Sequence, residues 1–589
     1  MERDLLADVF ESMPERYRSA EAGPGLRADI GFDVGGRCWT VKVRGNSCEV
    51  VPFLEPDRTA TVKTAPDEWI RIACGLMDPT VSYLGQRLTV TGDLGVLVEV
   101  FGLFDSYSGE GIEVKPPYWF LDTLGPHIRA RKDGTILVEG LSCLDLAEKY
   151  GTPLFVTSEN QFRRNYREMK AAFDQFYEEN SCNVMWAIKS NTTMALRRIM
   201  NEEGAGGDCF SAGELYATFI TGGDPEKMLL NGSNRSRETF RMALEIGLRI
   251  TLDHLDDLLE VEDLARELDV TARVLIRLKC ELPSLGGLRS TFAPGVPVPL
   301  EVKALKFGLK FEEALEIVRL AKGLPRVKIE GFHSHIGRDV HLPQHWRGYA
   351  RDMIRMAARF REDAGVTASI MDLGGGFSEI RDPSGNDLTR LAPSIEEYAR
   401  ETCQGIRDGC LEFNFPHPRL WVEPGRHLVG NTTVLITRVG SVKRTPELGT
   451  WVHLDASINH LQAIEHFNGM SYHVAPADRA WDEAVEIVDL VGPNCAGDLI
   501  QLKRRVPRFE RGDLLVMFDV GAYNQSYANQ FNCIPRPAAV LVRGGRAEII
   551  RERESITDVF HRQRMPDWLL RPLPRKTINP DAGGPSHDR

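Results

Sequence analysis

The residues best suited to chemistry lie directly after short apolar runs in the middle of the chain. Lys189 lies in WAIKSN, Gly374–Gly376 lie in DLGGGF, and Glu423 and Arg426 lie in EPGR. Apolar neighbours lower the pKa of a lysine, so its free amine can condense with a carbonyl group. Glycine lets backbone N–H groups approach a phosphate, and arginine binds phosphate through paired hydrogen bonds. Any one of these segments alone is a weak signal, because a lysine at a strand end can be an ordinary surface residue.

The three segments together predict a specific cofactor. A lysine suits an aldehyde, glycines and an arginine suit a phosphate, and a carboxylate suits a protonated ring nitrogen. Pyridoxal phosphate carries all three groups on one molecule. We therefore expect Lys189 to hold pyridoxal phosphate as a Schiff base.

The elements that must position these residues form a regular pattern of apolar runs alternating with helical stretches. Strands of a parallel sheet are buried on both faces and read as near-continuous apolar runs, and eight such units indicate a closed barrel. The eight predicted strands are Val184–Ile188, Asp208–Phe210, Met228–Leu230, Arg249–Leu252, Arg273–Leu278, Val327–Phe332, Ser369–Leu373 and Leu420–Val422.

Polar residues and glycines follow these runs one after another. In a barrel of this kind, loops at the carboxyl ends of the strands converge on the active site. We therefore expect residues far apart in sequence to meet there: Lys189, Ser211, Asn231, Asp253, His335, Gly374–Gly376, Glu423 and Arg426.

The flanking segments predict further domains. The fold class is α/β, a (β/α)8 barrel with a carboxyl-terminal β domain, preceded by a small α+β domain. The predicted boundaries are 1–115 for the α+β domain, 116–154 for a linker and strands that join the β domain, 155–428 for the barrel, 429–565 for the β domain and 566–589 for a disordered tail.

Composition excludes several classes of protein. A content of 42% hydrophobic and 26% charged residues is typical of a globular protein in water, and no apolar run is long enough for a membrane span. A net charge of −12 argues against nucleic-acid binding. Eleven cysteines without close CxxC pairs argue against zinc and disulfide frameworks, so no metal is expected. The first residues lack the pattern of a secretion signal, which predicts a cytoplasmic protein.

The order of the motifs resembles that of the fold-type III decarboxylases, which include ornithine, arginine and diaminopimelate decarboxylases. The resemblance covers roughly residues 125 to 562. It rests on an ordered series of segments: VEGLSCLDLAEKYGTPLFV, WAIKSN, GGDCFSAGEL, NGSNRS, KFG, GFHSHIG, DLGGGF, EPGR, GPNCAGD, GAY and FN.

The resemblance implies a role for each matching residue. Lys189 would hold the cofactor and His335 would stack on its ring. Glu423 would pair with the ring nitrogen and favour decarboxylation; the alternative is an amino-acid racemase on the same barrel, a class that resembles this chain but places an arginine there. The phosphate would be bound by Gly374, Gly375, Gly376, Arg426 and Tyr523.

The resemblance also implies a homodimer with shared active sites. Cys495 in GPNCAGD matches the family cysteine that protonates the product carbanion, reaching in from the neighbouring subunit. A thiol, with an ordinary pKa of about 8.5, can supply that proton near neutral pH.

Departures from the family concern the substrate. Ornithine decarboxylases follow the family cysteine with aspartate, and diaminopimelate decarboxylases follow it with glutamate and serine, whereas this chain has Ala496 and Gly497. The positions nearest to an arginine and a tyrosine of diaminopimelate enzymes are Ala463 and Phe467. We therefore expect a substrate other than ornithine, lysine, arginine or diaminopimelate, such as an intermediate of specialised metabolism. Arg338 replaces a family serine, with an effect that the sequence does not define. Candidate substrate contacts are Glu465, His466, Asn468 and Asp498.

The amino-terminal domain resembles the sterol carrier protein type two domain, a lipid-binding module, over about 100 residues. It could bind an apolar ligand or substrate tail, or serve as a docking surface. A non-catalytic cofactor-binding or lipid-binding adaptor therefore stays open as an alternative. Retention of Lys189, Glu423, Cys495 and Tyr523 together favours an enzyme.

Overall fold

The structure is a computed structural model of the 589-residue chain. It describes residues 4–74, 79–84, 88–105, 107, 119–286, 297–337, 340, 342–379, 381, 392–445, 449–466 and 470–570.

The amino-terminal unit is a five-stranded sheet covered by helices, as the sequence predicts. The strand order is β3-β2-β1-β4-β5, and β1 and β4 are parallel neighbours. The strands are β1 (Arg27–Val34), β2 (Arg37–Arg44), β3 (Ser47–Val51), β4 (Ala60–Thr64) and β5 (Leu88–Gly92). The helices are α1 (Leu5–Glu11), α2 (Met13–Arg16), α3 (Pro66–Ala73), α4 (Pro79–Leu84) and α5 (Leu94–Phe101).

Aromatic rings fill the core of this unit. Phe10 stacks on Trp39 with ring centroids 4.2 Å apart, and on Trp69 at 5.5 Å. Trp69 also packs against Phe32 at 4.6 Å and Phe101 at 5.8 Å. Among the described residues of this unit, these rings pack against one another at ordinary aromatic distances.

A short segment leads from this unit into the barrel. It contains β6 (Ile128–Ala130), β7 (Ile136–Val138) and β8 (Leu141–Ser142), which form a small sheet, followed by α6 (Cys143–Tyr150) and β9 (Leu154–Ser158). Ser142 caps α6 and Gly151 ends it with a positive φ of 73°, a conformation that favours glycine. Strand β9 pairs with strands of the carboxyl-terminal sheet, so the predicted barrel boundary at residue 155 falls within β9.

Eight parallel strands close into the predicted barrel. All eight predicted runs become strands, with ends that differ by at most two residues, and the order around the barrel follows the sequence. They are β10 (Cys182–Ala187), β11 (Gly206–Cys209), β12 (Met228–Leu230), β13 (Arg249–Leu252), β14 (Ala272–Arg277), β15 (Val327–His333), β16 (Ile370–Asp372) and β17 (Arg419–Val422).

Helices surround the barrel, and side chains define several of their ends. Ser158, Ser211 and Ser236 accept hydrogen bonds from backbone N–H groups in the first turns of α7, α9 and α10. The helices are α7 (Glu159–Phe176), α8 (Met194–Glu202), α9 (Ala212–Ile220), α10 (Arg237–Ile246), α11 (Leu255–Glu267), α12 (Val298–Ala304), α13 (Phe311–Ala321), α14 (Pro343–Ala364), α15 (Ile395–Glu412) and α16 (Arg426–Val429).

The chain beyond the barrel forms a second, mostly antiparallel sheet that includes β9. The strands are β18 (Thr433–Thr445), β19 (Gly449–Leu454), β20 (Val474–Pro476), β21 (Glu486–Val491), β22 (Leu499–Val506), β23 (Leu514–Met517), β24 (Ala538–Arg543) and β25 (Arg546–Arg551). The runs TVLITRVGSV, TWVHLDAS, VEIVDLVG, DLLVMFDVG and AAVLVRGG predict five of them, β18, β19, β21, β23 and β24, whereas β20, β22 and β25 are missed. The helices are α17 (Ala463–His466), α18 (Asn524–Tyr527) and α19 (Ile556–Phe560). The predicted tail from residue 566 lies mostly outside the described residues.

The fold class predicted from the sequence is confirmed: a barrel of eight parallel strands, a β domain after it and a small α+β unit before it. Among the described residues, no helix combines the length and the apolar character that crossing a membrane requires.

Candidate active site

The predicted site residues gather at the carboxyl ends of the barrel strands. A cavity of about 330 Å³ opens at the opposite end of the barrel, and none of its residues belongs to the predicted site. Active sites of this fold lie at the carboxyl ends, so we assign that cavity no catalytic part. It is lined by Asn180, Thr367, Ala368, Ser369, Pro416, His417 and Arg419.

Lys189 lies in a single helical turn just after β10 and forms an ion pair at the end of the neighbouring strand. Its Nζ atom is 2.5 Å from Oδ2 of Asp208 and 4.3 Å from the centroid of the Phe210 ring. The lysine side chain is 39% exposed, so its amine remains accessible. Burial by itself lowers the pKa of Lys189, but the charges of Asp208 and Glu423 outweigh it and raise the pKa above its ordinary value. The sequence-based expectation of a lowered lysine pKa is therefore wrong for the free protein.

Glu423, at the end of β17, is a buried carboxylate that the surrounding residues keep ionised. Oε1 accepts a hydrogen bond from Nδ2 of Asn231 at 2.5 Å, and Oε2 lies 3.5 Å from Nε2 of His333. Burial alone would raise the pKa of Glu423, but His333, Lys189 and His335 lower it below the ordinary value for a glutamate. A stable negative charge therefore lies between strand ends, as pairing with a protonated ring nitrogen requires.

Asp372, at the end of β16, lies beside Glu423 and behaves in the opposite way. Burial and the negative charge of Glu423 raise the pKa of Asp372 well above its ordinary value. Ligand atoms of His333, Asp372 and Glu423 all lie within 4.8 Å of one another, a spacing that a metal ion could use. Oδ1 of Asp372 already accepts a hydrogen bond from the backbone of Gly374, and Glu423 is bound by Asn231, which argues for a hydrogen-bonded cluster.

His335 lies beside the glycine segment with a neutral ring. Burial and the nearby positive charge of Arg277 lower the pKa of His335 well below its ordinary value. Its Nδ1 atom is buried and has no hydrogen-bond partner among the described residues. A neutral imidazole that faces the strand ends is suited to stacking on an aromatic ring.

The glycine segment brings bare backbone close to the rest of the site. The N–H of Glu423 donates a hydrogen bond to the Gly374 carbonyl at 2.9 Å. A Cβ atom at Gly375 would overlap the Glu423 carbonyl oxygen, so this position requires glycine. Gly376 has a φ of 115°, a conformation that an L side chain rarely adopts.

Arg426 and Tyr523 meet at the same end of the barrel. The Arg426 guanidinium lies 5.4 Å from the centroid of the Tyr523 ring. The backbone N–H of Tyr523 donates to the carbonyl of Ser190, next to Lys189, at 2.6 Å. A Cβ atom at Gly425 would lie 2.9 Å from the Tyr523 hydroxyl oxygen. Residues from the barrel and the β domain thus bring a guanidinium and a phenol together.

These residues fit pyridoxal phosphate. Lys189 supplies an accessible amine, Glu423 a carboxylate for the ring nitrogen, and the glycine segment with Arg426 a place for the phosphate. Buried polar atoms without partners among the described residues, Nδ1 of His335 and Nη1 of Arg277, are further groups that a bound molecule could satisfy.

Cys495 lies apart from this group, in the exposed loop between β21 and β22. Its backbone N–H donates to Oδ1 of Asn532 at 2.9 Å, and its side chain is exposed. The neighbouring Asn494 is held by Ser457 and Asn459 of the same β domain. An exposed thiol on this domain is accessible to a second subunit.

The candidate substrate residues fall into two groups. Asp498 is 1% exposed and anchors loops, accepting hydrogen bonds from the Ile458 N–H at 2.6 Å and the Asn494 N–H at 2.8 Å. These contacts commit both carboxylate oxygens of Asp498 to the β domain itself. Glu465 and His466 belong to α17, but the structure does not describe their side chains. Asn468, Phe467 and Arg338 lie outside the described residues altogether.

The sequence places Asn231 at this end of the barrel, but sequence reasoning assigned no role to it or to several other polar residues that the structure brings into the site. Asp208 and Asn231 join Lys189 to Glu423, while His333, Asp372 and Arg277 surround Glu423. Each of them except Asn231 is the last or nearly the last residue of a buried strand. A charged residue inside an apolar run is costly to bury, and this was the available signal.

Comparison with known proteins gives consistent results for both parts of the chain. Residues 159–430 match the pyridoxal-binding domain of pyridoxal-dependent decarboxylases, and residues 18–105 match the SCP-2 sterol transfer family. The chain is 33% identical over 447 residues to a diaminopimelate decarboxylase of Methanothermobacter thermautotrophicus, covering 76% of this chain and 99% of that protein.

Two further relatives agree. A diaminopimelate decarboxylase of Archaeoglobus fulgidus is 34% identical over 446 residues, covering 74% of this chain and 99% of that protein. The crystal structure of diaminopimelate decarboxylase from Methanocaldococcus jannaschii superposes with a TM-score of 0.69 at 28% identity, covering 75% of this chain and 99% of that one. The barrel, the carboxylate and lysine at its strand ends, and near-complete coverage of these relatives lead to one conclusion: the chain belongs to the pyridoxal-dependent decarboxylase family, with an SCP-2 domain at its amino terminus.

Proposed function

We propose that this protein removes the α-carboxylate of an amino acid or amino-acid derivative, with Lys189 holding the cofactor and Glu423 facing its ring nitrogen. The observation that carries this proposal is the hydrogen-bonded connection from Lys189 through Asp208 and Asn231 to Glu423. It joins the amine that binds an aldehyde to the carboxylate that holds a proton at a pyridine nitrogen.

The charge of Glu423 supports loss of carbon dioxide as the reaction. Bound pyridoxal phosphate supplies an electron-withdrawing ring that accepts the electron pair released with the carboxylate. Glu423 keeps the proton on the ring nitrogen, because its own pKa is held below the ordinary value. A carboxylate in this position argues against the racemase alternative, because the racemases that resemble this chain place an arginine there.

The remaining residues bind, orient and deliver a proton. With the cofactor bound, His335 would stack on its ring, and the Gly374–Gly376 backbone, Arg426 and Tyr523 would hold its phosphate. Cys495 of one subunit protonates the product carbon in the site containing Lys189 of the partner subunit. The exposure of Cys495 on a single chain supports such a shared site in a homodimer.

The substrate differs at its far end from the diamino acids. Ala463, at the position where diaminopimelate enzymes carry arginine, is fully buried, and its backbone N–H donates to Oδ1 of Asn524 at 3.2 Å. Ala496 and Gly497 place no charge after Cys495. A distal ammonium or carboxylate left without a partner in a closed pocket is costly, so we propose a larger or less basic amino acid.

Diaminopimelate is the second candidate substrate. It is favoured by the similarity of this chain to diaminopimelate decarboxylases at 33% and 34% identity. For diaminopimelate, Glu465 and His466 would then take the place of the family residues that pair with the distal charges of the substrate; the structure does not describe their side chains.

The packed aromatic core of the SCP-2 domain supports docking as its role rather than transport of an apolar ligand. The ring of Phe10 in α1 stacks directly on the ring of Trp39 in β2. The domain would then present a substrate or partner to the barrel without enclosing it.

The experiment that tests this function uses the pyridoxal-phosphate-loaded protein and a broad panel of amino acids, including diaminopimelate. Carbon dioxide release and the mass of the product are measured together. We expect equal amounts of carbon dioxide and of an amine that has lost the α-carboxylate. Inversion of the α-carbon without carbon dioxide would support the racemase alternative and overturn the proposal.

A further inference from the structure

Asn231 lies between the two carboxylates of the site and is fully buried. It follows β12 directly, and its backbone N–H donates to the carbonyl of Cys209 at 2.8 Å. Its side-chain Nδ2 donates to Oδ1 of Asp208 at 2.8 Å and to Oε1 of Glu423 at 2.5 Å. One amide group therefore uses both of its hydrogens on two different carboxylates.

The orientation of this amide follows from the chemistry of its neighbours. A reversed side chain would bring Oδ1 of Asn231 against two carboxylate oxygens, and no donor would lie between them. In the observed orientation Oδ1 is buried and has no hydrogen-bond partner among the described residues. The hydrogen bonds to the two carboxylates thus fix the orientation of the side chain, although they leave its Oδ1 atom without a donor among the described residues.

Each carboxylate is shared between Asn231 and one basic residue. Asp208 turns its other oxygen to Lys189 at 2.5 Å, and Glu423 turns its other oxygen to His333 at 3.5 Å. Burial and then the negative charge of Glu423 raise the pKa of Asp208, so the two acids repel each other. An amide is suited to this position because it donates to both acids and adds no charge.

We propose that Asn231 is a positioning residue that keeps Glu423 ionised and directed at the cofactor ring, and ties it to the acid that pairs with Lys189. This inference rests on the proposed function, because it requires Glu423 to face the ring nitrogen. Among the described residues, the hydrogen bonds of Asn231 go to Cys209, Asp208 and Glu423, and Lys189 is not one of its partners. Asn231 acts through Glu423 and Asp208.

The variant Asn231→Leu removes both hydrogen bonds and keeps a side chain of similar size. Without the amide hydrogen the charged form of Glu423 loses a donor, its pKa rises, and the proton on the ring nitrogen is held less firmly. We expect kcat to fall by about 10- to 100-fold, the range for a hydrogen bond to a charged group, while KM changes by less than about threefold.

The decisive readout is the protonation of the ring nitrogen, measured as the ¹⁵N chemical shift of ring-labelled pyridoxal phosphate bound to the full-length protein. We expect a pyridinium shift in the unmodified protein and a change toward neutral pyridine in Asn231→Leu. Asn231→Ser keeps one hydrogen-bond donor, so its ¹⁵N shift should lie between those of the unmodified protein and Asn231→Leu. The serine variant also tests the inference if the leucine variant fails to fold. Asn201→Leu is the matched control, because Nδ2 of Asn201 donates to Thr218 and Thr221 in the helical layer.

The outcomes separate this inference from the proposed function. A neutral ring nitrogen in the unmodified protein would contradict the role of Glu423 and with it the proposed function. A pyridinium shift that stays unchanged in both the leucine and serine variants would overturn the role of Asn231 alone. A change in Asn201→Leu as large as that in Asn231→Leu would also overturn it, because the effect would then be one of general destabilisation.

Discussion

Nζ of Lys189 and Oδ2 of Asp208 are 2.5 Å apart at the carboxyl ends of two neighbouring strands, which pair through Ala187 and Asp208. The pairing explains how an amine that must react as a free base is held as an ammonium in the protein without cofactor. Asp208 raises the pKa of Lys189, and an approaching aldehyde has to take the place of this ion pair.

The variant Asp208→Asn should change the pH dependence of cofactor attachment. Asp208 favours the charged form of Lys189, so its removal lowers the lysine pKa, and the reactive free amine appears at lower pH. The rate of pyridoxal phosphate attachment to cofactor-free protein, followed by absorbance, should therefore rise at a lower pH than in the unmodified protein. A profile that does not move would show that Asp208 does not control the amine.

The variant Cys495→Ala should slow turnover and direct protonation to the wrong atom. A thiol is a competent proton donor. Without it, protonation of the product carbon depends on water and is slower, so protonation at a cofactor atom, which leads to transamination, can compete. Steady-state rates and the yield of pyridoxamine phosphate measure the two effects. Unchanged rate and products would remove Cys495 from the mechanism.

Mixing the Lys189→Ala and Cys495→Ala variants, which are each impaired, should restore activity if the active sites are shared between subunits. A dimer of one Lys189→Ala chain and one Cys495→Ala chain contains one complete site. Activity should therefore return when the two proteins exchange subunits, while either protein alone stays inactive or slow. Absence of recovery in a mixture proven by mass spectrometry to contain mixed dimers would contradict a shared site.

A chain that begins at Pro116 should still bind pyridoxal phosphate. Every residue assigned to the cofactor lies after residue 155, and the amino-terminal unit has its own aromatic core. Absorbance and cofactor content of the shortened protein measure this. A folded protein that cannot retain the cofactor would contradict the separation of the domains.

The barrel was predictable because its strands are short apolar runs, each ended by a polar or glycine residue. The role of Asp208 was not, since the predicted strand begins at Asp208, whereas the observed strand β11 begins at Gly206 and brings Asp208 close to its carboxyl end. Asn231 was visible at a strand end, but its partners come from strands distant in sequence. Strands β22 and β25 were missed because charged residues, as in Lys503–Arg505 of β22, interrupt the apolar pattern. Strand β20 was missed because it has only three residues and ends in proline, which is rare within a strand.

Ornithine, lysine, arginine and diaminopimelate should be poor substrates. The buried methyl group of Ala463 and the uncharged Ala496 leave their distal charges without the partners expected in this family. Steady-state kinetics on these four amino acids beside a broad panel measure the difference. A kcat/KM for any of the four above about 10⁴ M⁻¹ s⁻¹, the ordinary range of efficient enzymes, would contradict the proposed change of substrate.

The most direct test of the central claim is reduction of the cofactor-loaded protein with borohydride, followed by mass spectrometry of its peptides. The reduced cofactor should be found covalently attached to Lys189 in the peptide that contains WAIKSN, and Lys189→Ala should carry none. Attachment to another lysine, or an undiminished adduct in Lys189→Ala, would contradict the assignment of Lys189 as the residue that holds the cofactor.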